Sequence, residues 1–175
     1  DSADLYYNRA LEFTDIGDYT SALADYDEAL RLDPRYASAY YNRGNLYRDM
    51  GDYERALDDF IKTVQLNPTH TGAWHNAGGM LGELGRYEEA IVYLDEAIRL
   101  DPRFVSAYYN RGFMYKQLGD YIAAFENYDM VVALDPTFIQ VYINRGTAYR
   151  DMGNYDLAIA DYTEAIRQNP RFVLA

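Results

Sequence analysis

The chain has 175 residues, a formal net charge of −12 and no cysteine. Apolar residues make up 49% and aromatics 16%, enough for a packed core, which argues against disorder. The acidic balance lacks the basic footprint of a nucleic-acid binder, and without thiols there is no disulfide, thiolate nucleophile or zinc–thiolate site.

Five prolines, Pro34, Pro68, Pro102, Pro136 and Pro170, are spaced 34 residues apart, and there are no others. Proline ends helices and marks turns, so one structural unit is laid down five times, over 3–36, 37–70, 71–104, 105–138 and 139–172. The units form a single domain, 1–175, with no linker. Each reads as two helices. In the first unit a helix closes at Gly17 and a second runs from Asp18 to Asp33. Glycine tolerates the left-handed conformation after a helix, and Asp or Asn caps the next one. The same punctuation follows at Gly51, Asp52 and Asn67, then at Gly85, Arg86 and Asp101. It closes the chain at Gly119, Asp120 and Asp135 and at Gly153, Asn154 and Asn169.

Apolar residues keep helical spacing inside each unit. Unit positions 4, 8 and 11 are Tyr40, Gly44 and Tyr47 in the second unit and Tyr108, Gly112 and Tyr115 in the fourth. Glycine at position 8 and alanine at position 20 (Ala22, Ala56, Ala90, Ala124, Ala158) let the paired helices approach closely.

This pattern resembles the tetratricopeptide repeat family over residues 3–172. In the third unit Trp74, Gly78, Ala90, Ala97 and Pro102 fill the family's characteristic places. Departures are Ala10 for glycine, Leu81 for tyrosine, Thr63 and Val131 for alanine, and arginine at position 7 where leucine is frequent. The resemblance implies an all-α, right-handed α-solenoid superhelix of stacked antiparallel helix pairs, the first helices lining a concave groove. It implies a scaffold that binds a protein or peptide partner, with no cofactor and no nucleic-acid or membrane partner.

In the family, positions 2, 5, 6, 9, 12 and 13 face that groove. Position 6 is asparagine throughout: Asn8, Asn42, Asn76, Asn110 and Asn144. An amide both donates and accepts, as a peptide backbone does. Neighbouring helices ~8–10 Å apart would meet about every third residue of an extended peptide, and some family members use such an asparagine ladder. The opposing reading has these amides bonding neighbouring units. The third unit breaks the rhythm with Gly72, Gly79 and Gly82 at groove positions. They suggest a bare patch walled by Asn45, Arg48, His75, Asn76, Tyr109, Phe113 and Lys116, with Tyr41 beside it. Drift or a softened helix is the competing explanation. The family's clamp for chaperone carboxyl termini lacks its cations, because Tyr41, Ser106 and Asn110 stand in their places.

Arginine at position 7 (Arg9, Arg43, Arg111, Arg145) is expected to point toward the neighbouring first helix and pair with repeat acids. The recurrent Asp25, Asp59, Asp95 and Asp161 read as a solvated outer face rather than a catalytic pair. His70 is expected in an exposed loop. It stands five residues from His75, which is not the spacing of a helical zinc site. No enzyme is expected. The last helix, with Ile159, Tyr162 and Ile166, is followed only by Val173, Leu174 and Ala175 beyond the final unit. That arrangement suggests a truncated longer array or end-to-end self-association, and a start at Asp1 rather than methionine suggests a fragment or a processed product. No signal peptide or run of about 18 apolar residues is visible; the compartment stays open, with the cytoplasm as the expectation.

Overall fold

The computed structural model describes residues 2–169. Pro170, Val173, Leu174 and Ala175 lie outside the described residues, as does the end of the fifth unit. Ten helices occur among the described residues, with no strand: α1 (Ser2–Asp15), α2 (Tyr19–Leu32), α3 (Ala37–Asp49), α4 (Tyr53–Leu66), α5 (Thr71–Glu83), α6 (Tyr87–Leu100), α7 (Val105–Gln117), α8 (Tyr121–Leu134), α9 (Ile139–Asp151) and α10 (Tyr155–Gln168). Their contacts divide the chain into two compact bodies, residues 1–86 and 87–175.

The helix boundaries are chemical. Gly17 holds φ at +79° after α1, and the amides of Gly17 and Asp18 turn back to the carbonyls of Thr14 and Phe13. A left-handed residue there closes the helix. Asp18, Asp52, Asp120 and Asn154 then accept the backbone N–H three residues on and open the second helices. At the other end, Asp33, Asn67, Asp101 and Asp135 accept the amide two residues later, bending the chain around each proline. The proline carbonyl is answered by the aromatic at position 4 of the next unit. Trp74 Nε1 donates to Pro68 O at 2.9 Å and Tyr142 Oη to Pro136 O at 2.9 Å. The position-4 aromatics of the third and fifth units therefore clasp each of those units to the proline turn before it.

Within a pair, the position-8 glycine faces the position-24 ring. A Cβ at Gly44, Gly112 or Gly146 would stand 2.9, 2.8 or 2.9 Å from the rings of Phe60, Tyr128 or Tyr162. Around these contacts Ala10, Ala22, Tyr26, Leu30, Ala39 and Leu46 form a core in the N-terminal body. Tyr108, Ala124, Tyr128, Val131, Val141, Tyr142 and Ala165 do so in the C-terminal body.

The position-7 arginines depart from the sequence expectation in direction. They reach second helices, not the neighbouring first helix. Arg43 on α3 forks onto Asp59 of α4 at 2.8 and 2.7 Å, and its Nη1 donates to Asp27 of α2 in the preceding unit. Arg145 does the same with Asp161 and Asp129; Arg111 makes a single bond, Nε to Asn127 Oδ1 at 2.8 Å, and its Nη1 donates to Asp95. The guanidinium also lies over position-4 rings, 5.6 Å from Tyr40, 5.5 Å from Tyr108 and 5.7 Å from Tyr142. Asp25, Asp59 and Asp161 are buried beneath arginines, so the solvated outer face expected for them is corrected; Asp95 alone of the four is exposed. A buried carboxylate is tolerated because the planar fork satisfies both of its oxygens. Where position 7 is Ala77, both would-be partners are also gone, replaced by Ile61 and Tyr93.

Two outcomes follow. Asp59→Ala leaves Arg43 half-buried without its main partner and should cost about 3 kcal/mol. Asp59→Asn copies the natural Arg111–Asn127 pair and should cost about 1 kcal/mol; denaturant melts separate the two. In acid, the Ser21 hydroxyl and amide hold the Asp18 carboxyl below its usual range, Thr137 does so for Asp135, and Arg167 with Gln168 lowers Glu164 to about 2. These depressed values give stability that is complete above the ordinary carboxylate range, about pH 4, and lost as pH falls through the folded values. Thermal melts should therefore decline mainly below about pH 4, and less so in Glu164→Gln.

Candidate functional site

The first helices carry the predicted site residues, and the neighbours of each can be followed within its own body. In the N-terminal body Asn42 Nδ2 donates to Tyr7 Oη of the preceding unit at 2.8 Å. Asn76 Nδ2 donates to Asn45 Oδ1 at 3.0 Å, with Tyr41 Oη at 3.5 Å. In the C-terminal body Asn144 Nδ2 donates to Tyr109 Oη at 2.6 Å. Each amide is thus tied to the tyrosine 35 residues earlier, at position 5 of the previous unit. Asn110 is half-buried on α7, and Asn8 is exposed on α1.

Those tyrosines are themselves fixed by packing. Tyr7 lies 4.8 Å from Tyr36 and 6.2 Å from Tyr26. Tyr41 lies 4.4 Å from His70 and 5.8 Å from Phe60. Tyr109 meets Phe138 edge-on at 5.0 Å. Burial raises the Tyr109 hydroxyl pKa, partly opposed by the Asn144 bond, so it stays a neutral phenol. A neutral phenol that accepts from the amide keeps its own proton to donate. Asn42 and Asn144 spend one N–H on this contact and retain a second N–H and the carbonyl.

Around Asn76 the polar groups interlock. Arg48 Nη1 donates to Asn45 Oδ1 at 3.1 Å, and Asn76 Oδ1 is 3.2 Å from His75 Nδ1. Arg48 also pairs with Asp49 at 2.8 Å, as Arg150 does with Asp151 at 3.0 Å. The basic residues at position 12 in those units are therefore answered by their immediate neighbours. The patch expected around the glycines is changed in one respect: a Cβ at Gly72 would meet Tyr41 Oη at 3.1 Å, so that glycine sits under a side chain. Gly79 does face open space, with nothing within 4 Å, and Gly82 is half-buried on the same helix. The other expected wall residues, Phe113 and Lys116, are half-buried on α7 of the C-terminal body. His70 is not an exposed loop residue: its Nδ1 accepts the Ala73 amide at 3.1 Å, capping α5. No cluster able to hold a metal occurs among the described residues.

The opposing reading of the asparagines, as amides bonding neighbouring units, is what the rungs show; the sequence did not name tyrosine as their partner, although tyrosine directly before the invariant asparagine in three units was the signal. It also missed the two-sided arginine ladder, which was visible in the joint loss of Arg, Asp and Asp around Ala77.

A model described as tetratricopeptide repeat matches residues 37–70, 105–138 and 139–172, and a second, described as TPR repeat, matches 10–47 and 78–119. The chain belongs to the tetratricopeptide repeat family. Its fold is the all-α helical-repeat class of that family, which makes protein–protein interaction scaffolds that are generally non-enzymatic. No curated protein matches in sequence. Among solved structures, MamA (41 to the end) from Desulfovibrio magneticus RS-1 aligns with TM-score 0.92 at 25% identity, covering 97% of this chain and 96% of that one. A further MamA structure aligns with TM-score 0.88 at 26% identity, covering 95% and 97%. YrrB, described as a TPR protein with an unusual peptide-binding site, aligns with TM-score 0.84 at 28% identity, covering 97% and 87%.

Two glycines in helices should respond oppositely to alanine. Gly112→Ala pushes a methyl into the Tyr128 ring and should destabilise by about 2 kcal/mol. Gly79→Ala meets nothing and should stabilise by about 1 kcal/mol through helix propensity. Parallel urea titrations read both.

Proposed function

We propose that this protein is a scaffold that holds an extended peptide segment of a partner protein along the first-helix face. The observation that carries the reading is the half-used amide. Asn42 and Asn144 are oriented by a packed tyrosine through one N–H, while one donor and one acceptor remain for a ligand. A peptide backbone offers the complementary pair in every residue, so recognition at these points would tolerate many sequences. Asn76 is already engaged by Asn45, Tyr41 and His75, and contributes through that network instead. Gly79 leaves space beside it for a bulky side chain of the peptide. The name YrrB carries, with its peptide-binding site, is consistent with this use of the fold but concerns that protein.

End-to-end self-association has one observation in its favour. Ile159 and Ile166 of α10 are 62% and 46% exposed, whereas Leu57 and Val64 at the same unit positions of α4 are buried. Against a regular head-to-tail stack, α1 presents Leu5 and Glu12 where α3 buries Ala39 and Leu46. Peptide capture therefore stands as the leading function.

A random-peptide display screen tests it. Wild-type protein should retain a set of sequences with weak side-chain preferences, and the Asn42, Asn144 double alanine variant should lose most of them while remaining folded by circular dichroism. Equal retention by a folded variant, or no peptide retained by the wild type, rejects the reading.

A further inference from the structure

Position 24 is tyrosine in three units, Tyr26, Tyr128 and Tyr162, and the hydroxyl meets a different fate in one of them. In the fifth unit Tyr162 Oη is 3.2 Å from Thr147 Oγ1, which donates its own proton to Ile143 O at 2.8 Å. The tyrosine is therefore the donor of that pair. In the first unit Tyr26 meets the Thr14 side chain, whose Oγ1 likewise donates to Ala10 O at 2.8 Å. In both units a threonine on the first helix offers the tyrosine an acceptor oxygen. The fourth unit keeps the tyrosine and lacks the threonine. Phe113 and Lys116, both half-buried, stand at the positions that Thr147 and Thr14 occupy. Tyr109, whose ring centroid is 6.4 Å from that of Tyr128, takes the Asn144 amide instead. Tyr128 is fully buried, and its Oη has no hydrogen-bond partner among the described residues. A buried donor in that state carries its full desolvation penalty. The second and third units avoid it with Phe60 and Leu94. Burial also pushes the Tyr128 pKa up, so the hydroxyl keeps its proton.

We propose that the fourth unit reads one side chain of the bound peptide through Tyr128. A serine, threonine, asparagine or glutamine places a neutral acceptor oxygen on Tyr128 Oη as Phe113 turns aside. The inference rests on the peptide-scaffold reading above and adds a sequence preference to backbone contacts that are otherwise tolerant. The chemistry of the occupant is read from the first and fifth units, where the same tyrosine is answered by a hydroxyl oxygen. An apolar side chain of equal shape leaves the donor unpaired and gains nothing. A carboxylate would carry its charge to a buried atom and is disfavoured. The free protein thus holds one hydrogen bond in reserve, and a peptide with the right side chain completes it.

Two measurements test it. In the free protein, Tyr128→Phe removes a donor without a partner, so its urea midpoint should rise above wild type. An unchanged or lower midpoint shows the hydroxyl already paired, by water or by the Lys116 ammonium, and overturns the proposal. The second probe is the random-peptide display library, screened on wild type and on Tyr128→Phe. The wild-type pool should be enriched in serine, threonine, asparagine or glutamine at one place in the aligned sequences, and the variant pool should lack that enrichment. A retained threonine peptide and its valine counterpart should differ about five-fold in Kd on wild type by fluorescence anisotropy and bind Tyr128→Phe equally. Phe113→Thr, which gives Tyr128 the partner that Tyr162 has, should also erase the difference. Equal binding of the two peptides by wild type, a difference that persists in Tyr128→Phe, or enrichment of aspartate and glutamate, which moves recognition to Lys116, overturns the proposal. A wild type that retains no peptide removes the scaffold reading and this inference together. Peptides retained without any preference at this place remove this inference alone.

Discussion

A single guanidinium joining three helices is the contact on which the stacking depends. Arg43 belongs to α3, forks onto α4 and touches α2. It therefore fixes both the pairing inside a unit and the seat of that unit on its predecessor. Small residues let the helices come close, but small residues alone allow sliding, since alanine and glycine surfaces are nearly featureless. A planar five-donor group between two carboxylates allows one register only. Buried ion pairs are not a strong source of net stability, because desolvation offsets much of their attraction. Here their value lies in the geometry they enforce, and the stability comes from the alanine, tyrosine and leucine cores that this geometry lets close.

Much of the architecture was legible beforehand because it is local and periodic. Gly17, Asp18, Asp33 and Pro34 act through their own backbone or the next two or three residues, and such effects are written directly in the sequence order. The Gly112–Tyr128 contact was legible for a different reason: a residue without a side chain, repeated at one position, needs a neighbour that would collide with anything larger. The fate of Asp25, Asp59 and Asp161 was not legible in the same way. A carboxylate on a helix usually faces water, and its burial depends on an arginine sixteen residues away on another helix. Spacing along one helix carries no information about that partner. Only comparing positions across units does, and the Ile61, Ala77 and Tyr93 set, which lacks all three groups, supplies the contrast.

In the proposed function a structural and a ligand-binding role share one asparagine side chain. An exposed amide free to rotate would lose entropy on binding a peptide. Tethered through one N–H to a packed tyrosine, Asn42 and Asn144 are already oriented, and what remains of their hydrogen-bonding capacity points as a fixed pair. The bond to the neighbouring unit and the proposed bond to a peptide then use different atoms of one amide. The third unit differs: its position-5 residue is His75, where three other units have tyrosine, and its asparagine is shared among three neighbours.

The ladder also redraws what counts as a heritable module. The 34-residue period suggests that a unit could be duplicated, deleted or transplanted whole. Yet Asp27 serves Arg43, Asp95 serves Arg111 and Asp129 serves Arg145, each acid lying on one unit and its base on the next. Cutting at the prolines separates every such pair. The segment that keeps the inter-unit pair whole is a second helix together with the first helix that follows it, while the fork inside a unit, such as Arg43 on Asp59, spans the glycine turn. The α4–α5 junction, with Ile61 and Ala77, belongs to a different compatibility group from the other three. A joint at Pro34, Pro102 or Pro136 splits an acid from its base, a joint at the glycine turn of an arginine-bearing unit splits the arginine from the group it bonds on its own second helix, and the α4–α5 junction at Pro68 splits neither.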